Sequence, residues 1–245
     1  MEDKLHWETV TPELQSVLHQ FMKEPIFDQF RLVGGTALSL YLGHRASVDI
    51  DLFSDTDYGT IDFNSIDQYL QSQYPYVSKV GPGTVGMGRS FLIGNDADHT
   101  IKVDVYYTEP FVFPLKTIEG IRLASIEEIV AMKFDIVQRV ARKKDFWDIH
   151  ELLDHYSLKN MIELHQQRYP YSHDRDEIIK NITVFNKADD DLNPECFRGK
   201  HWEIIQVELV EVLEKSGLAQ KLNHQKTNLL DKKPTAHQLI PKRRK

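Results

Sequence analysis

Residues 32–53, LVGGTALSLYLGHRASVDIDLF, decide how the chain is read. The apolar run Phe30-Arg31-Leu32-Val33 stops at Gly34-Gly35, and Thr36 to Leu42 then reads as a helix closed by Gly43. That is a strand, a tight turn and a helix. Next, Val48, Ile50 and Leu52 alternate with Asp49, Asp51 and Phe53, the period of a strand with one apolar and one acidic face. Asp49 and Asp51 therefore lie on one face, roughly 6.5–7 Å apart along the backbone. Mg²⁺ (or Mn²⁺) takes a few carboxylates and fills its remaining positions with water and substrate phosphates, so the pair suits a phosphoryl-transfer centre. An isolated D-x-D is more often the solvated face of an edge strand. Here a glycine turn stands just upstream, where the first amides of a helix and the positive end of its dipole receive phosphate oxygens. The conjunction of turn and acidic strand, rather than either alone, points to nucleotide chemistry. Gly34, Gly35 and Thr36 are the candidate phosphate contacts. His44 and Arg45, between helix and strand, either contact phosphate or cap the turn.

Working outward, strand-like runs recur at Val77–Val80, Ser90–Ile93 and Ile101–Tyr107, an economical fit to antiparallel hairpins. In the last run Lys102, Asp104 and Tyr106 share the face opposite Ile101, Val103 and Val105, so Asp104 is the candidate third ligand. The glycine-rich stretch 83–88 lacks the G-x-G-x-x-G spacing and reads as a hairpin tip. Upstream, Thr11-Pro12 marks a helix start ahead of Leu14, Val17, Leu18 and Phe21.

After Pro114 the period becomes helical. Ser125 to Glu128 fits a capping box, and Ile126, Ile129, Val130, Phe134 and Val137 form an amphipathic stripe on which Lys133 falls. A charge at a core position either snorkels or reaches a phosphate or leaving group in the cleft. Arg142-Lys143-Lys144 reads as a basic connection to a helix over 145–153, whose Asp145 and Asp148 are surface neighbours; helix capping is the plain reading of Asp145. Another helix covers 202–213. The expected architecture is α+β: a domain with a small mixed sheet and flanking helices over 1–115, a helical domain over 116–220 completing the cleft, and a flexible basic tail over 221–245.

A length of 245 residues with 41% hydrophobic content is ordinary for a packed globular protein. The net charge of −7 argues against a surface built mainly to coat nucleic acid, while leaving room for a local basic groove. With Cys196 as the one cysteine, no intrachain disulfide forms; no apolar run suits a membrane span or a secretory signal, so no membrane role is expected and the cytoplasm is the expected compartment.

Gly34 to Leu38 together with Gly43 to Phe53 resembles the signature of the nucleotidyl transferase AbiEii/AbiGii toxin family, a branch of the DNA polymerase beta-like nucleotidyltransferases. Leu123 to Ser125, Met132-Lys133, Arg139 and Lys144 to Ile149 resemble its downstream motifs. The resemblance implies a small mixed sheet flanked by helices and an NTP bound with Mg²⁺. It places Asp49, Asp51 and Asp104 as metal ligands and completes the active site with Lys133 and with Asp145 or Asp148. Many relatives outside the family have Gly-Ser where this chain has Gly35-Thr36. The resemblance further implies the toxin of a type IV toxin-antitoxin or phage abortive-infection system, a separately encoded antitoxin, and an acceptor such as tRNA or another RNA. A housekeeping or resistance-type transferase and a catalytically silent nucleotide-binding module are the competing readings.

Overall fold

The computed structural model describes residues 4–81 and 86–219. Helix α1 (Pro12–Phe21) starts where Thr11 Oγ1 accepts from the Leu14 amide at 3.2 Å. Strand β1 (Arg31–Leu32) leads straight into helix α2 (Gly34–Leu42), which begins two residues earlier than the sequence implies, on the glycines themselves. Gly43 ends it in the left-handed region at φ 65°, where a side chain would also strike the His6 ring. Strand β2 (Asp49–Ser54) is followed by helix α3 (Phe63–Gln73), strands β3 (Tyr76–Val80), β4 (Gly88–Gly94) and β5 (Thr100–Tyr107), and the short hairpin β6 (Lys116–Ile118) and β7 (Ile121–Leu123). Helices α4 (Ile126–Arg139), α5 (Lys143–Leu152), α6 (Leu158–Arg168), α7 (Arg175–Asn181) and α8 (Trp202–Lys215) complete the described chain.

All seven strands form one mixed sheet in the order β3-β4-β5-β2-β1-β7-β6. The expected antiparallel hairpins are present as β3-β4-β5. Because α3 and this meander intervene, β5 returns parallel to β2, an arrangement that periodicity alone does not give. Residues 116–123, grouped by sequence with the helical half, instead supply the two strands at the β1 end of the sheet. The α+β class stands, with Ile50, Leu52, Phe91, Val103 and Val105 of the sheet fully buried in the same apolar cluster as Phe134, Phe146 and Trp147 of the helices. Of the stretch 83–88, residues 83–85 lie outside the described residues and Gly88 opens β4; the expected tail 221–245 also lies outside them.

Three helices lie between the segments assigned from sequence, and each has an ordinary start. Asp62, Ser157 and Asp174 cap α3, α6 and α7 through their side chains. Ser125 caps α4 as expected, but Glu128 does not complete a capping box. Its carboxylate turns inward, accepts from the Val112 and Phe113 amides at 3.1 and 2.8 Å, and pairs with Arg168 Nε. Arg168 also donates to Thr108 Oγ1 and to the carbonyls of Glu109 and Pro110, at 2.8–2.9 Å. One fully buried ion pair thus ties α4 and α6 to the segment leaving β5. Arg168→Met strands Glu128 without its counter-ion and should lower the unfolding free energy by about 3–5 kcal/mol in urea titrations. Adding Glu128→Gln should recover part of that loss, because no unpaired charge then remains buried.

Candidate active site

The parallel pairing of β2 with β5 sets Asp51 directly beside Asp104 and Asp49 beside Lys102. Paired positions in neighbouring strands share a face, so Asp49, Asp51 and Asp104 stand together opposite the buried Ile50, Leu52, Val103 and Val105. Their charges are unequally compensated. Asp104 contacts Lys102 Nζ, and Asp49 lies 3.5 Å from Lys144 Nζ. The Asp51 carboxylate accepts no hydrogen bond from the described residues. Burial, reinforced by the Asp104 and Asp49 carboxylates, pushes its pKa from the ordinary 3.8 to about 6.

Behind this strand sits the glycine turn. Gly34 takes φ 71°, and a Cβ there would collide with the Asp51 carboxylate; a Cβ on Gly35 would come within 2.5 Å of the Arg45 guanidinium. The two glycines therefore let α2 begin against charged side chains, with no side-chain cap on its first amides. The Thr36 hydroxyl does not point to the cleft. It is buried, hydrogen-bonded to Ser47 Oγ at 2.8 Å and to the Asp49 carbonyl, so it fastens the turn to β2.

His44 and Arg45 lie beneath the turn. Arg45 grips Asp148 with two donors, Nε at 2.6 Å and Nη2 at 2.9 Å, and His44 Nε2 meets the same carboxylate at 2.8 Å. Lys133 reaches Asp148 from α4 at 2.6 Å and Asp145 at 2.8 Å. The other Asp145 oxygen accepts from the Arg142 amide at 3.0 Å, closing the first turn of α5, so Arg142 to Lys144 begin that helix rather than connect to it. All five side chains are almost wholly buried. Burial opposes the charge on Asp148, but Arg45 and Lys133 outweigh it and hold the carboxylate well below its usual range. Burial likewise opposes the Lys133 ammonium, and Asp145 and Asp148 keep its pKa above the ordinary value. Both aspartates and the lysine meet in one lattice, and neither His44 nor Arg45 opens onto solvent.

A cavity of about 440 Å³ opens in front of the turn, lined by Gly34, Gly35 and Asp51 on the sheet side and by Ile129, Met132, Lys133 and Ile136 of α4 opposite. Its rim carries Arg139, Arg142 and Lys144, three cations that the sequence reading gave no role of their own. The signal was available: Arg139 is one turn and a half past Lys133, and Arg142 and Lys144 flank the start of α5. The volume falls in the range of small-molecule sites.

The carboxylates suit Mg²⁺ or Mn²⁺ in donor chemistry. Asp104 Oδ1 is buried with no hydrogen-bond partner among the described residues, and at Asp51 burial and the Asp104 and Asp49 charges outweigh the opposing Lys133 and Lys102. Among the described residues no three His, Cys, Asp or Glu side chains converge on a single point. The set therefore fits an ion that keeps water and substrate oxygens in its shell, rather than one caged by protein alone.

Among the described residues, no helix is long and apolar enough to cross a membrane. The chain is 27% identical to an uncharacterized protein of Aquifex aeolicus over 202 residues, 79% of this chain and 91% of that one. It superposes on the crystal structure of JHP933 from Helicobacter pylori with a TM-score of 0.50 at 21% identity, covering 89% of this chain and 94% of the other. With MenT4, a nucleotidyltransferase toxin from Mycobacterium tuberculosis, the TM-score is 0.51 at 13% identity, over 81% and 83% of the two chains. At these identities the superpositions speak for the fold. The model of the nucleotidyl transferase AbiEii toxin, type IV toxin-antitoxin system, matches residues 16–224, most of the chain. The chain accordingly belongs to the AbiEii nucleotidyltransferase toxin family, enzymes that move a nucleotide from an NTP and whose type IV system implies an antitoxin partner.

Proposed function

We propose that this enzyme uses Mg²⁺, or Mn²⁺, held by Asp49, Asp51 and Asp104 to transfer a nucleotide from an NTP to a hydroxyl of an RNA such as tRNA, and that this modification is its toxic act. The observation that carries the reading is the register that sets Asp51 beside Asp104, with Asp51 lining a cavity bounded by the uncapped start of α2. A divalent cation held by these carboxylates would neutralise triphosphate charge and stabilise the negative charge on the attacking and leaving oxygens.

The chain's own groups account for the remainder. The amides of Gly34, Gly35 and Thr36 receive phosphate oxygens at the positive end of α2. An ammonium has three donors, and Lys133 spends two on Asp145 and Asp148, leaving one for the phosphates in the cavity. Asp104 takes the acceptor hydroxyl's proton as its oxygen bonds the α-phosphorus; the bond from that phosphorus to the bridging oxygen of the β-phosphate breaks, and pyrophosphate leaves. His44, Arg45, Asp145 and Asp148 position the turn and the lysine without touching substrate. The rim cations Arg139, Arg142 and Lys144 favour a polyanionic acceptor even in a chain of net charge −7. Growth arrest on expression that requires Asp51 supports the toxic act; unaffected growth returns the protein to a housekeeping or resistance-type transferase.

Two aspartates should respond oppositely to neutralisation. Asp51→Asn should abolish transfer of labelled nucleotide from NTP to total RNA, and a variant that still labels RNA refutes the metal assignment. Because the folded pKa of Asp51 lies above its unfolded value, the metal-free protein loses stability as pH rises from about 4 to 6 and stays lower above that. In EDTA, Asp51→Asn should match the wild type below pH 4 and exceed it by about 1–3 kcal/mol at pH 7, read from urea midpoints. Asp148→Asn removes the anion shared by Arg45 and Lys133, and the same titrations should show a loss of about 3–5 kcal/mol.

A further inference from the structure

Lys102 is the cation placed closest to the carboxylates, yet transfer as derived above gives it no part. It extends from the same face of β5 as Asp104, two residues away, and its Nζ contacts Asp104 Oδ2. Across the strand pair its register partner is Asp49. Asp49 has a cation of its own, Lys144 Nζ at 3.5 Å, so two of the three carboxylates are each drawn toward a lysine. Among the described residues Asp51, between them, has no cation within ion-pair distance, and the three do not close on one point. Lys102 is over a third exposed, whereas the ammonium of Lys133 is locked in the buried lattice.

Resting on the metal reading above, we propose that Lys102 is the resident counter-ion of the carboxylate cluster, exchanged for the divalent cation as the site loads. A cation reaching Asp104 meets the lysine on the same carboxylate, where Lys102 already holds Oδ2, and two like charges that close displace one another. The displaced ammonium swings on its flexible stem toward solvent, where it meets the incoming phosphates. Loading and substrate binding are thereby coupled: the ion is taken up poorly by the empty site and well once phosphates engage the released lysine. Lys102 is a positioning residue that sets when the carboxylates become available.

The test is calorimetric titration of Mn²⁺ into the full chain without nucleotide, paired with amine acetylation read by mass spectrometry. Lys102→Met should bind Mn²⁺ about three- to tenfold more tightly than wild type, in keeping with the loss of one partly exposed competing charge. Arg139→Met removes a rim cation engaged with Asp135 instead of the cluster, and should change the affinity less than about twofold. Saturating Mn²⁺ should raise the acetylation rate of Lys102 in the wild type several-fold while leaving Lys215 unchanged. Unaltered or weaker Mn²⁺ binding in Lys102→Met, an equal gain in Arg139→Met, or acetylation of Lys102 indifferent to Mn²⁺ overturns the exchange. If wild type binds Mn²⁺ and Asp51→Asn does not, the metal reading stands whatever Lys102 does; if wild type takes none, both fall.

Discussion

The Asp148 carboxylate is the point on which the site is hung. Three groups from two segments converge on this aspartate of α5: His44 and Arg45 from the link between α2 and β2, and Lys133 from α4. Each ion is buried, and each would be expensive alone. Their mutual pairing makes the cost tolerable and, more to the point, permits only one arrangement. Arg45 cannot leave Asp148 without exposing two buried charges, so the floor under Gly35 is fixed; Lys133 is fixed with it, and α4 keeps its distance from the sheet. The cavity is the space left between those constraints.

Charge is handled in opposite ways on the two sides of that cavity. On the helical side every ion has a partner within hydrogen-bond reach, and the carboxylates are held far into their ionised range. On the sheet side negative charge is crowded and Asp51 has no hydrogen-bond partner among the described residues, with a pKa displaced upward. The first pattern yields rigidity. The second leaves a deficit of positive charge that an arriving cation can fill, which is how a fold keeps affinity in reserve for a ligand at the expense of its own stability.

The sequence made some of this legible and hid the rest for identifiable reasons. The alternation at 48–53 and 101–107 placed the acidic faces because period two is a local property. That β5 returns alongside β2 in parallel was not legible, since the pairing joins segments about fifty residues apart. Lys133 announced itself by breaking an apolar stripe, and its buried position among anions answers the anomaly. His44 and Arg45 gave no comparable signal: from sequence they read as phosphate contacts or caps of the turn, because their partner on α5 is about a hundred residues away. Glu128 shows the opposite error: a local capping pattern was satisfied in sequence, and a tertiary partner, Arg168, claimed the side chain. The strands at 116–123 were missed because three residues each are too few to establish any period.

Thr36 shows how far a shared motif constrains a shared role. The hydroxyl that follows the two glycines looks, from sequence, like one more phosphate contact. In the fold it is committed to the Asp49 carbonyl and to Ser47, joining the start of α2 to the backbone of the acidic strand. The glycine turn is thereby joined to the acidic strand, and the spacing between the first α2 amides and the carboxylates is set by a hydrogen bond rather than by loop length. Serine could make that bond as well; threonine adds a methyl group to a fully enclosed position, restricting χ1 and holding the hydroxyl in place. The residue acts through the geometry it enforces, which is why its type matters even though its oxygen is turned away from the cleft.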